Sequence, residues 1–241
     1  MLANMASATS SMATKEELDA AMNAAKPRPY ANVETSDITQ VYTIDGLIGK
    51  ENMAALQVRQ WQVDMKAGKN VQVTSRFVAN RLLKFRDNVE KLKMLRYILL
   101  LLDFYNNTTP GRDGRKLKRA DDLKLILSNQ PESLLTSIKR KFTDGPIMSR
   151  HNSDLLITHI CAIALVLENY ELDTWDLKED LKLELNPMCQ YFKEVGAKVG
   201  SVTETFRKQA GLDKANAGQR RLARLKIPLE FPKTKFVRSR R

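Results

Sequence analysis

His151 and His159 lie eight residues apart, and Cys161 and Cys189 are the two cysteines of the chain. Imidazoles and thiolates hold zinc when they come in close pairs on one face of an element. His159 and Cys161 are two residues apart, which on a helix points them to different faces. The histidines therefore read as satisfied or solvated side chains. Cys161 sits in an apolar helix and Cys189 among helix residues, so both read as buried, reduced thiols. The carboxylate pairs Asp121/Asp122 and Glu179/Asp180 are the type that does acid–base work. They fall at expected helix starts or on solvated faces, where they stabilise helix ends instead. There is no glycine loop to cradle a phosphate and no local Ser/His/Asp pattern. No catalytic residue, metal or cofactor is expected, and an enzyme acting on nucleic acid lacks any constellation to work with.

The chemistry that remains is electrostatic. The chain of 241 residues carries 40 Lys and Arg against 28 Asp and Glu, a net charge of +12. Such a balance suits a polyanionic partner, and says nothing about fold. The charge is uneven: residues 1–50 hold four basic and six acidic groups, residues 201–241 twelve and three. Four clusters stand out. Arg112, Arg115, Lys116, Lys118 and Arg119 fall within eight residues. Lys139, Arg140 and Lys141 follow one another. Arg220, Arg221 and Arg224 form the third, and residues 233–241, with Lys233 and Lys235, the fourth. The bland reading of such runs is a solubilising face or an import signal. Residues 139–141 resist it, because they end a helix placed where a helix-turn-helix reader would enter a groove. Lys193 is the matching cation further on, but Gln190 and Glu194 beside it weaken attraction to phosphate. Binding dominated by backbone charge, with little sequence preference, is expected.

The elements that must carry these groups occur twice. Residues 98–105 read I-L-L-L-L-D-F-Y and residues 163–170 read I-A-L-V-L-E-N-Y. Each apolar helix end is followed by a polar connection and then by D-L-K-L-I-L at 122–127 or D-L-K-L-E-L at 180–185. An asparagine and a proline come next, then a third apolar-periodic segment at 134–142 or 188–195. Two copies of helix, short helix, turn and helix make a tandem array. Ile98/Ile163 and Leu125/Leu183 are expected at matching core positions.

The remaining segments are read around that array. Residues 1–40 are Ala/Ser/Thr/Asn-rich and expected to be disordered. Residues 41–47 alternate like a short extended segment. Helices are expected over 50–66 and from Thr74 or Ser75, with Met53, Leu56, Trp61, Met65, Phe77, Val78, Leu82 and Phe85 apolar. These two helices look like a linker, residues 41–87, that packs little on the rest and offers apolar surface to a partner. The first domain is placed at 88–149, with Leu134, Leu135, Ile138 and Phe142 inward and Ser133, Thr136, Ser137 and Arg140 outward. The second is placed at 150–232, with helices at 175–181, 187–195 and 203–210 and a strand at 197–199. Residues 225–231 (L-K-I-P-L-E-F) alternate, and Pro228 restricts them to an edge strand. A three-helix unit followed by a strand pair is a winged helix; the first copy has room only for a reduced wing. No apolar run is long enough to span a membrane, and the N-terminus lacks the basic and apolar regions of a signal peptide. The fold class expected is mainly α with small β wings, tandem winged-helix domains preceded by a partly helical linker and closed by the basic tail.

At the C-terminal part a resemblance enters. Residues 192–199 (F-K-E-V-G-A-K-V), then L-A-R-L-K-I-P-L-E-F-P at 222–232 and a basic end, resemble the close of the 49-kDa-type, tandem winged-helix subunit of RNA polymerase I. D-G-L-I-G-K-E at 45–51, after Tyr42 and Ile44, resembles that family's linker. The likeness covers roughly residues 41–241; no single motif is diagnostic, and the order of segments carries it. The family is the partner in a TFIIF-like heterodimer, with a second half related to TFIIE-beta. The resemblance implies a non-catalytic, nuclear and nucleolar polymerase subunit that binds DNA and aids initiation and elongation of ribosomal RNA transcription. It implies contacts with other polymerase subunits through residues 41–87. The family's β-rich dimerisation module is not found in residues 1–40. The chain is thus read as a C-terminal fragment or a shortened gene model, and pairing with the usual heterodimer partner is left open. A protein-interaction scaffold of a transcription complex, without direct DNA binding, is the alternative from a different class.

Overall fold

The computed structural model describes residues 22, 25–119, 121–123, 127 and 131–232. Most of the expected N-terminal tail, Leu125 of the first hexapeptide and the basic end with Lys233 and Lys235 lie outside the described residues.

Short helices come first: α1 (Ile44–Leu47), α2 (Lys50–Ala55), α3 (Arg59–Lys66) and α4 (Arg76–Leu82). Side-chain caps start two of them. Thr43 Oγ1 accepts from the Gly46 N–H and Ser75 Oγ from the Val78 N–H, each at 3.1 Å, satisfying donors that a helix start leaves open. The first long helix is α5 (Val89–Asn106), followed by the hairpin β1 (Thr109–Gly111) and β2 (Gly114–Lys116). Then come α6 (Glu132–Phe142), β3 (Ile147–Met148) and the second long helix, α7 (Arg150–Leu167). The chain continues through β4 (Glu171–Asp173), α8 (Trp175–Asp180), α9 (Leu185–Glu194), β5 (Ala197–Ser201), α10 (Glu204–Gln209), α11 (Lys214–Gln219) and β6 (Arg221–Leu225).

Two antiparallel sheets of three strands result, ordered β1-β2-β3 and β4-β6-β5. In the second, β6 crosses to the centre, so the connection from β5 carries α10 and α11 out to one side. Gly114 has a φ of +137°, and a Cβ there would lie 2.4 Å from the Met148 carbonyl oxygen. Only glycine lets β2 approach β3 this closely.

The long helices α5 and α7 pack on one another. Their apolar runs explain why: every residue over 97–102 and 156–165 is buried, and a helix apolar all round has no face to give to water. Ile98 and Ile163 are both fully buried. The two copies therefore share one continuous core instead of holding two separate ones.

The expected linker is part of that core. Val41, Tyr42, Leu47, Ile48, Leu56, Val58, Trp61, Phe77, Val78, Leu82 and Phe85 are all buried. The apolar surface read as waiting for a partner is met by the chain itself. Within it, the single helix expected over 50–66 breaks at Leu56, whose ψ of 119° is extended. Breaking there lets Leu56 and Val58, two residues apart, both turn inward. The extended reading of 41–47 gives way to α1 because Thr43 caps it. Residues 25–40, part of the segment read as disordered, also carry defined contacts: Pro29 is buried, and Thr158 Oγ1 donates to the Pro27 carbonyl at 2.9 Å.

Two ionic joints fix α4 to the second half. Asp180, at the end of α8, accepts from Ser75 Oγ at 2.6 Å and from the backbone N–H groups of Arg76 and Phe77 at 2.8 and 2.9 Å. Its carboxylate thus caps α4 from another element, where the helix dipole favours negative charge. Arg81 reaches Glu168 at 2.5 Å and Asp176 at 2.9 Å, and its guanidinium lies 3.8 Å over the Phe77 ring.

Leu123 and Leu127 are buried after the first long helix, Leu177 and Leu181 after the second. Leu125, the expected counterpart of Leu183, lies outside the described residues. The sequence D-L-K-E-D-L-K offers the same triplet twice at a spacing of four, so two registers place a leucine on the same face. Lys182 has a φ of 54°, and Leu183, only partly buried, lies between α8 and α9. The edge strand expected over 225–231 is displaced. β6 ends at Leu225, before Pro228, which has no N–H for a ladder. Leu229 and Phe231 instead cover Gly196, where a Cβ would come within 3.1 and 3.3 Å of them. The strand expected at 197–199 runs to Ser201, and the third helix of the second copy runs from Leu185 to Glu194.

Candidate nucleic-acid interface

The basic clusters are positioned by α6, by the β1–β2 hairpin and by the sheet of the second copy. Helix α6 is amphipathic as read: Leu134, Leu135, Ile138 and Phe142 are buried, while Ser133, Thr136 and Arg140 are exposed and Lys139 is half-buried. Its C-terminal flank is covered by the segment before it. Asn52 Nδ2 donates to Ser137 Oγ at 3.1 Å, and Lys141 Nζ donates to the Leu47 carbonyl at 3.1 Å. Lys141 thus closes the open C-terminal carbonyl of α1, and desolvation lowers the pKa of its ammonium. Ser137 and Lys141 are taken out of the outward face by these bonds.

Beneath α6 sits His159 of α7. Its ring meets Phe142 edge-on, centroids 5.2 Å apart, and Nδ1 lies 2.7 Å from the Leu155 carbonyl oxygen. Burial first, and the Lys141 charge second, push its pKa down to about 3. A neutral imidazole whose Nδ1–H donates to its own helix is a core side chain, as the sequence reading had it. Cys161 is buried, but Cys189 is only half-buried, because α9 presents it at the margin of its inward stripe. Among the described residues no group of three or more His, Cys, Asp or Glu could hold a metal ion, and no helix is long and apolar enough to cross a membrane.

The hairpin divides its cations. Arg115 is locked: Nε donates to Thr108 Oγ1 at 2.6 Å, Nη2 to the Thr108 carbonyl at 3.1 Å, and the guanidinium lies 4.2 Å over Tyr105. Lys118 donates to Asn107 Oδ1 at 2.9 Å. Arg112, Lys116 and Arg119 are exposed and form no ion pair among the described residues. They join Lys139 and Arg140 as cations available to an external anion.

The second copy is different. Arg220 pairs with Asp173 at 2.6 Å and lies 5.4 Å over Trp175. Arg224 Nη2 donates to Glu171 at 2.8 Å, and Arg221 Nη1 donates to the Gly218 and Arg220 carbonyls. These arginines, read as candidates for DNA, are engaged within the sheet and its connection. The outward face of α9 is engaged as well. Gln190 Nε2 donates to Glu194 at 2.9 Å. Lys26 lies 3.4 Å from the same carboxylate and donates to the Pro232 carbonyl at 2.8 Å. Arg28 stacks 3.7 Å over Phe231. Residues 26–29 thus strap the second copy, with a cleft of about 390 Å³ left between Pro27, Asp154, Thr158, Tyr191 and Glu194. Lys193 remains exposed beside the strap. Sequence reading missed Lys26 and Arg28; the alternation K-P-R-P was their only signal. It also missed Lys208, Lys214 and Lys226, which are exposed in and after the β5–β6 connection.

Comparison with known proteins places this arrangement. DNA-directed RNA polymerase I subunit rpa49 of Schizosaccharomyces pombe is 29% identical over 255 residues, covering 100% of this chain and 58% of that protein. DNA-directed RNA polymerase I subunit RPA49 of Saccharomyces cerevisiae is 25% identical over 244 residues, covering 93% of this chain and 57% of that protein. The chain spans less than two thirds of the length of these relatives. The A49-like RNA polymerase I associated factor family matches residues 1–232. With a match over nearly the whole chain, this protein belongs to the A49-like RNA polymerase I associated factor family.

Proposed function

We propose that the chain is the DNA-binding part of a non-catalytic RNA polymerase I subunit, acting in the nucleus and nucleolus to support initiation and elongation of ribosomal RNA transcription. Family membership supports the polymerase assignment. The DNA reading rests on one observation: cations that form no ion pair among the described residues lie on the first copy, the exposed Arg112, Lys116 and Arg119 on and after the hairpin and the half-buried Lys139 and exposed Arg140 on α6. In this reading the copies are tandem winged helices, bounded near 88–149 and 150–232. The second has strand order β4-β6-β5 and an enlarged wing holding α10 and α11. The first has a wing reduced to β3. The outward Ser133, Thr136, Lys139 and Arg140 of α6 suit phosphate oxygens, so binding is non-specific. Lys193, Lys208 and Lys214 add charge from the second copy. Other polymerase subunits dock on the outer sides of residues 41–87, where Val63 and Leu83 are exposed.

A salt titration on two unrelated duplexes tests this. Five phosphate contacts on duplex give a log–log slope of about −4.5, from counterion release. Equal slopes on both duplexes support backbone binding; binding indifferent to salt, or confined to one duplex, overturns it. The scaffold reading draws support from the second copy, where Gln190, Glu194 and Lys26 engage one another beside the exposed Lys193. No binding at low salt extends that reading to the whole chain.

A further inference from the structure

Thr109-Pro110 is the only Ser/Thr-Pro pair in the chain, and Arg112 stands three residues after the threonine. The stretch forms β1 and the tip of the hairpin, and Thr109 through Asp113 are all exposed. Among the described residues β1 pairs with β2 alone, which leaves its other backbone edge open to them. An extended segment with an open edge is what a peptide-binding groove takes up. Pro110, without an N–H, needs no acceptor from whatever holds it. The neighbouring hydroxyl provides the contrast. Thr108 is 4% exposed, donates to the Tyr105 carbonyl at 2.7 Å and accepts from Arg115. Thr109 Oγ1 has only a long contact, 3.4 Å, to the Lys116 carbonyl.

We infer that Thr109 is a phosphorylation site for a proline-directed, basic-preferring Ser/Thr kinase, and that the phosphate cancels the positive charge of the hairpin. Thr109 Oγ1 attacks the γ-phosphorus of ATP. The new O–P bond forms as the β–γ bridging bond breaks, ADP leaves, and the hydroxyl proton passes to the carboxylate base of the kinase. Thr109 is the registered partner of Lys116 across the hairpin, so the phosphate, with a charge of about −1.5 to −2, lies beside that ammonium and within reach of Arg112. Two cations assigned above to DNA are then paired internally. This consequence rests on the DNA reading; the acceptor site does not.

The test incubates the folded 241-residue chain with a cyclin-dependent kinase and labelled ATP, then maps the site by mass spectrometry. Incorporation near one phosphate per chain, on Thr109, is expected, abolished by T109A and P110A and slowed by R112A. Modification at Thr108, or of a synthetic 106–116 peptide but not of the folded chain, overturns the inference. Charge pairing is read separately by ³¹P NMR: the second phosphate pKa should fall below its usual value of about 6, and an unshifted value refutes the pairing. If the unmodified chain binds DNA, phosphorylation should flatten the salt slope by about 2; an unchanged slope refutes the effect on DNA. If it does not bind, the DNA reading fails while the site and the pairing are still decided by the first two measurements.

Discussion

Helices α6 and α9 are both amphipathic and present different surfaces. α6 turns Ser133, Thr136 and Arg140 to solvent, and Lys139 and Arg140 have no acidic partner among the described residues. α9 presents Gln190 and Glu194, tied to each other and to Lys26. The segment before the repeats treats them differently as well. α2 reaches α6 through Ser137, and α1 through Lys141. Residues 26–29 and α4 instead strap and brace the second copy. The two helices thus differ in what surrounds their charges: an open cationic face on α6, a clamped one on α9 where Glu194 meets Gln190 and Lys26. Position in a fold does not assign a reading role; the partners left to each charge do.

The brace comes first. Arg81→Ala removes the cation shared by Glu168 and Asp176, both mostly buried, and leaves Lys84 beside Glu168 and Asn80 beside Asp176. The loss should be about 3 kcal/mol, the low end for broken buried pairs, read by urea denaturation. A loss under about 1 kcal/mol, in the range of exposed pairs, would mean α4 does not clamp the second copy.

Core equivalence comes next. Ile98→Ala and Ile163→Ala should each cost about 2–5 kcal/mol, because both positions are fully buried. Leu183→Ala should cost less than either, since it is only partly buried. A cost for Leu183 equal to that of Ile163 would mean that Leu183 is packed as fully as the long helix.

The docking of α6 on α7 should titrate. Folded His159 has a pKa of about 3 against 6.5 unfolded. The unfolded chain therefore binds the proton between those values, and stability present above 6.5 is lost as pH falls. The slope should approach about 1.4 kcal/mol per pH unit through that window. His159→Phe should remove the dependence and keep the edge contact with Phe142. Persistence of the full slope in H159F would exonerate His159.

The smallest thermodynamic effect separates the two faces directly. Reversing Lys139 and Arg140 to Glu should leave the melting temperature nearly unchanged and flatten the DNA salt slope by about 2. Lys193→Glu on α9 should change the slope by less than half as much. Equal responses would erase the distinction between the helices.

The sequence by itself determined the mainly helical class, the long helices and the inward stripes they bury. Apolar spacing reports which face a helix must bury, and the runs at 98–102 and 163–167 left little for water. The inward stripe of α6 was legible for the same reason. The burial of Cys161 was legible too, from its place in an apolar helix. Periodicity does not name the surface that covers a face. Residues 41–85 showed an apolar stripe, and only the tertiary structure decided that α5, α7 and α8 fill it. A triplet repeated every four residues fits two registers equally, because both set a leucine on the same face. Charge was legible as composition but not as availability. Asp173, Glu171 and Glu194 are distant in sequence from the cations they engage, except where a turn returns the chain, and an arginine facing a carboxylate at 2.6 Å has already spent the attraction that a phosphate would need. Which cations remain open is a property of long-range neighbours, set when β6 enters between β4 and β5 and residues 26–29 close over α9.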